Sequence, residues 1–134
     1  MKAIKITYWT TTAIVGLMMA YSTYAYLTQP VMQEGFHHLG YPDYFRVELA
    51  IAKLLGAILL LAPLSSVGIG TSVEARVKEW TYAGFTFTFV SAFIAHRASG
   101  DPAAHWSGPV IFLILLAISY ITYHRLHTTK QIPA

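Results

Sequence analysis

The stretch Glu48-Leu-Ala-Ile-Ala-Lys53-Leu-Leu-Gly-Ala-Ile-Leu-Leu-Leu-Ala62 decides the fold. With Tyr44–Val47 in front of it, the run is long enough to cross a bilayer as a helix. It carries one acid near its start and one lysine near its middle. A charged side chain at that depth costs roughly 2.5–3.5 kcal/mol on insertion scales. Lys53 therefore asks for a partner, a water-filled cavity or a function.

Working outward, apolar residues gather in four blocks, near residues 7–27, 44–62, 79–98 and 107–124. Each is close to the roughly 20 residues of a membrane-spanning helix. The chain of 134 residues is 55% hydrophobic and 11% charged, against about 25% charged for an ordinary soluble domain. Four spans leave almost nothing over, which predicts one all-α domain over 1–134: an integral membrane four-helix bundle with short loops. The first block is rich in Tyr and Thr and has no small-x-small site before Gln29-Pro30, so it reads as a retained helix, not a signal peptide.

The breaks have chemical causes. Pro30 ends helix 1 because proline cannot continue the hydrogen bonding. Val31–Leu39 reads as a short interfacial helix, followed by a turn at Gly40-Tyr-Pro42. Asp43 suits the positive end of helix 2, and Pro63 closes it. Ser99-Gly-Asp-Pro102 is a turn, and Ser107-Gly-Pro109 suits the start of helix 4. Gly16 and Ala20 form a small-xxx-small pair that lets a neighbouring helix approach. Lys2, Lys5, Arg76, Lys78, Arg125 and Lys130 flank one face, and Arg46 and Arg97 the other. The positive-inside rule then places both termini and the second loop in the cytoplasm.

Composition also excludes chemistry. There is no cysteine, which removes disulfide relays, covalent c-type haem and iron–sulfur ligation. The net charge of +3 is explained by topology, so no nucleic-acid partner is expected.

Side chains lean toward their own helix N-terminus. Lys53 thus leans outward, toward the level of Glu48, which lies about 7.5 Å away in rise at 1.5 Å per residue. His96, on the oppositely directed helix 3, leans inward to a similar depth. A polar pocket in the outer half of the bundle follows, formed by helices 2 and 3. Glu48, Lys53 and His96 are its candidate catalytic, proton-handling groups; Glu48, Lys53, Tyr82, Phe89 and His96 are its candidate ligand-binding residues. Tyr82, Phe85, Phe89, Ala92 and His96 share one helix face, and packing is the first use of such a stripe. Glu79 starts helix 3 at the cytoplasmic edge, with Lys78, Arg76 or Arg125 as partners. The outer face also carries His37, His38, His105, Glu34, Asp43 and Asp101. These match neither HxxxH nor HExxH, and no metal site is expected.

The stretches Tyr8-Trp-Thr-Thr-Thr12, Phe36-His-His-Leu-Gly-Tyr-Pro42, Glu48-Leu-Ala-Ile-Ala-Lys-Leu-Leu-Gly-Ala57, Lys78-Glu-Trp-Thr-Tyr-Ala-Gly-Phe85, and Ala95-His96 with Ser99-Gly-Asp101 resemble the DoxX-like family of small bacterial integral membrane proteins with four helices. The likeness spans about residues 6–101. It implies a multi-pass protein of the bacterial inner membrane, and carries over positions Glu48, Lys53, Gly56, Glu79, Trp80, Tyr82, Gly84 and His96 without a catalytic role. Related proteins include a subunit of thiosulfate:quinone oxidoreductase, partners of redox enzymes and assembly factors.

Three functions compete. The first is an accessory or scaffold protein that holds a lipophilic small molecule, with the lipid bilayer and either further copies of itself or another membrane protein as partners. The second is a membrane enzyme acting on a quinone- or terpenoid-like substrate, with a quinone-like ligand in place of a fixed cofactor. The third is a small proton-coupled transporter; it ranks last because helix 1 contains no carboxylate.

Overall fold

A computed structural model describes residues 1–131. It contains helices α1 (Lys2–Thr28), α2 (Pro30–His38), α3 (Asp43–Leu61), α4 (Thr71–Ala98) and α5 (Ala103–Gln131), with a 3₁₀ turn over Leu64–Val67. The described residues contain no strand, so the all-α expectation holds. The described residues form five α-helices, because the segment after Gln29 forms a helix of its own with Pro30 in its first turn.

Three helices outrun the apolar blocks. α1 begins at Lys2, α4 at Thr71 rather than near 79, and α5 runs from Ala103 to Gln131 rather than over 107–124. Hydropathy marks where a helix is greasy, whereas hydrogen bonding continues through polar turns. The first two turns of α4 hold Glu74, Arg76 and Lys78, and a helix accepts these readily.

The four long helices are neighbours in a ring: α1 packs on α3 and α5, and α4 closes the ring by touching both. Gly16 permits the α1–α3 approach. A Cβ there would sit 2.6 Å from the Leu61 side chain. The core runs along the ring's interior through Val15, Met19, Leu60, Tyr82, Phe85, Phe89 and Leu116.

Polar residues are buried in this interior too, among them Thr12, Thr23, Lys53, Lys78 and Ser119. Large apolar side chains face outward instead: Leu17, Leu55, Trp80, Phe87 and Ile94 are all exposed. Among the described residues one helical stretch, Ala103–Thr128, is long and apolar enough to cross a membrane by length and composition, with mean hydropathy 1.7 and 11% of its most apolar window buried. α3 misses that standard because it carries Arg46, Glu48 and Lys53 close together.

At the ends of α1 and α3 a proline leaves a carbonyl without its helical donor, and a cation fills each gap. Pro30 has no N–H for the carbonyl of Tyr26 four residues earlier; Arg46 donates to that carbonyl and to Asp43. Pro63 has none for Leu59. There Lys78 donates from Nζ to the carbonyls of Leu59 (2.7 Å), Leu60 (2.6 Å) and Ala62 (3.2 Å). Lys78 therefore does not pair with Glu79. Glu79 instead accepts from the Tyr120 hydroxyl at 3.1 Å and meets His124 Nε2, both on α5.

Candidate functional site

The site lies at the end of the ring where α1 finishes and α3 begins. Two glycine turns shape it. Gly40 (φ +87°) and Gly100 (φ +75°) take left-handed backbone that favours glycine. After α2, the Tyr41 N–H bonds to the Phe36 carbonyl and Gly40 N–H to that of His37. After α4, the Asp101 N–H bonds to the His96 carbonyl and Gly100 N–H to that of Arg97. Both are Schellman closures. The second folds Asp101 back beside His96, so that its carboxylate meets His96 Nδ1 and His38 Nε2, each at 2.6 Å. α2 is thus tied across the top to the end of α4. The hydrogen bond from His96 first, and that from His38 second, hold the Asp101 carboxyl below the usual aspartate range.

Beneath α2 lies a cavity of about 450 Å³. α2 contributes Met32 and Phe36, α3 Phe45, Leu49 and Lys53, α4 Phe89, Ala92 and His96, and α5 Gly108, Pro109 and Phe112. Its walls are mainly apolar, with Lys53 and His96 as the basic side chains. That size and lining fall within the range of small-molecule sites.

Lys53 is 6% exposed. Its Nζ donates to the Tyr26 hydroxyl at 2.7 Å and to Ser22 Oγ at 3.0 Å, both on α1. The ammonium also lies 4.0 Å from the centre of the Tyr26 ring, within cation–π range. Tyr26 is in turn edge-on to Phe36 of α2, with ring centres 5.0 Å apart. α3 and α4, helices 2 and 3 of the sequence, bring Lys53 and His96 to one cavity, while the hydrogen-bond partners of Lys53 come from α1 and are hydroxyls, not an acid.

The other expected residues divide. Phe89 and His96 line the cavity with Lys53. Glu48 is exposed and is not among the lining residues. Tyr82 lies deeper, in a different polar cluster. Its hydroxyl bonds to Ser119 Oγ at 2.7 Å, and Ser119 bonds to Thr12 at 2.6 Å, which ties α1, α4 and α5 together. Glu34 and His37 stand at Glu-x-x-His spacing on α2, but both are exposed. Among the described residues no three His, Cys, Asp or Glu side chains gather as a metal site.

Sequence reasoning missed Tyr26, Ser22, Arg46 and Lys78. Tyr26 stood in the sequence only as one tyrosine of a Tyr-rich block. The signal for Arg46 and Lys78 was the pair of helix-ending prolines, each of which leaves a carbonyl four residues back in need of a donor.

The architecture defines the class: an all-α protein with an apolar exterior and a lysine-bearing internal cavity under a short helix. The chain belongs to the DoxX-like family, whose sequence profile matches residues 10–119, and is a DoxX-like membrane protein. No curated protein and no solved structure matches it.

Proposed function

We propose that this chain is a multi-pass protein of the bacterial inner membrane, a four-helix bundle with α2 on its outer surface, that holds a lipophilic molecule in the cavity beneath α2. The observation that carries this reading is a cavity of about 450 Å³ with apolar walls and a buried lysine whose neighbours are neutral hydroxyls. The membrane setting is supported by the apolar surface. Exposed Leu, Ile, Phe and Trp side chains cover the helices, while Thr, Ser and Lys side chains are buried beside the apolar core, and a large exposed apolar surface is not what a water-soluble domain presents. Buried hydroxyls that bond between helices suit an apolar solvent. Basic residues near both chain ends, and Arg76 and Lys78 in the first turns of α4, support a cytoplasmic location for those segments.

In this role the protein is an accessory or scaffold, presenting or sequestering its ligand for a partner or for further copies of itself. A second reading draws on Lys53 and His96 lining one cavity. With Lys53 as donor and His96 as acceptor, the site would carry protons for a quinone- or terpenoid-like substrate. Glu48 takes no part in either reading, because it faces outward. Native mass spectrometry of the full chain released from membranes tests the proposal. A stoichiometric lipophilic adduct in the wild type, lost in Ala92→Trp, which fills the cavity, supports it. No adduct from any lipid extract refutes it.

A further inference from the structure

Lys53 lines two cavities, not one. Below the outer chamber a second space of about 440 Å³ opens between α3 and α4, walled by Leu55, Gly56, Trp80, Gly84 and Phe85. Thr88 also borders both. Among the pairs that close the ring, α3 and α4 pack least extensively. Trp80, at the edge of this seam, is 81% exposed. At Gly84 a side chain would meet no atom within 4 Å, so the groove is open there. The seam runs from the protein's apolar exterior to the ammonium of Lys53.

The ammonium has three N–H donors. Two are used, both on neutral oxygens; among the described residues the third has no acceptor and no carboxylate touches the group. Of the acids at this end, Asp101 is engaged by His38 and His96, Asp43 is paired with Arg46, and Glu34 and Glu48 are exposed. A buried cation with a spare donor and no counter-charge is complementary to an anion.

Resting on the reading that the cavity holds a lipophilic molecule, we propose that the ligand is a single-chain anionic amphiphile, a long-chain carboxylate. Its head accepts the free N–H of Lys53, and its tail leaves through the α3–α4 seam past Gly84 and Trp80. The seam is then the route by which the ligand enters sideways from the bilayer.

The test uses the full chain in phosphatidylcholine nanodiscs, with palmitate brominated in mid-chain as a quencher of tryptophan fluorescence. Saturable quenching, lost in Trp80→Phe, is expected. Unlabelled palmitate should displace the probe, and the uncharged methyl ester should need at least tenfold more. Lys53→Met should weaken binding at least tenfold while Lys53→Arg retains it. Gly84→Phe, at a position with room for a side chain, should remove the quenching. Equal displacement by palmitate and its methyl ester overturns the anionic head but leaves the lipophile-holding reading intact. Quenching unchanged by Gly84→Phe overturns the seam. The head-group comparison needs only the wild type, so it decides even if Lys53→Met does not fold. Absence of any probe binding, with no adduct in native mass spectrometry, removes this proposal and the reading beneath it together.

Discussion

Replacing Lys78 with methionine tests how the inner end of the bundle is held. The Lys78 ammonium is the donor for three carbonyls at the end of α3, and the residue is 3% exposed. Ala62 has a second donor in the Leu64 N–H at 3.1 Å, so its loss is small. Leu59 and Leu60 have no such replacement. Pro63 lacks an N–H, and the chain has left the helix before Leu64 can serve Leu60. Each buried carbonyl stripped of its partner costs about 1–3 kcal/mol. Two of them, less the relief of no longer burying an ammonium, give a net loss of about 3 kcal/mol for Lys78→Met. Reversible unfolding in mixed micelles, followed by far-ultraviolet circular dichroism, measures it. Pro63→Ala adds a check, because position 63 then carries an N–H within reach of the Leu59 carbonyl. In the Lys78→Met background it should recover about 1 kcal/mol, and in the wild type it should recover little. A loss below about 1 kcal/mol for Lys78→Met, or strictly additive effects of the two changes, refutes the reasoning.

Gly16→Val should destabilise by about 1–3 kcal/mol through overpacking, since the new Cβ falls 2.6–2.8 Å from the carbons of the Leu61 side chain; Leu61→Ala in the same background should restore most of it, as the same micelle unfolding would read. Tyr82→Phe should cost about 1 kcal/mol and no more, because Ser119 keeps its bond to Thr12. Because its hydrogen bonds hold the Asp101 carboxyl below the usual range, the tie from α2 to α4 is fully present above the ordinary aspartate range and is lost as pH falls through the lowered value. Hydrogen exchange of the α2 amides should therefore stay slow down to that range and speed up below it, while Asp101→Leu is fast at every pH; slow exchange in Asp101→Leu would sink the idea.

Much of the skeleton was legible because its causes are local. Pro30, Pro63 and the Ser99–Pro102 turn break the chain where sequence chemistry says they must. Asp43, in the first turn of α3, was readable in the same way. Lys53 stood out since a lone cation in an apolar run has to be answered. What answered it was not legible. Helical spacing says which residues share a face, but not which helix that face meets. Glu48 was favoured for its charge, and its place one and a half turns from Lys53 turns it outward. Tyr26 and Ser22, four apart on α1, are on one stripe, and it is the packing of α1 on α3, with Thr23 bonded to the Ala50 carbonyl, that brings that stripe to Lys53. Tyr82 and Phe89 do share a face of α4, as the spacing indicated. Their separation along the helix, about 10 Å of rise, puts one in the deep hydroxyl cluster and the other in the cavity.

Tyr26 joins the two halves of the site, and its substitutions separate its jobs. Its hydroxyl accepts from Lys53, its ring lies under the ammonium, and its edge meets Phe36 in the roof. Tyr26→Phe removes the hydroxyl alone. The ring contacts survive, so α2 should stay docked and its amide exchange should change by less than about twofold, below what losing an aromatic pair would give. The ammonium would then have one acceptor, Ser22, and two free donors. Tyr26→Ala removes the ring as well. The aromatic pair is worth about 0.5–1.5 kcal/mol, so exchange across Pro30–His38 should accelerate by up to about tenfold. If both variants loosen α2 equally, the roof is held through the Lys53 hydrogen bond and not by ring packing. If neither does, the tie from His38 to Asp101 holds α2 by itself, and Lys53 and the roof are independent parts of the site.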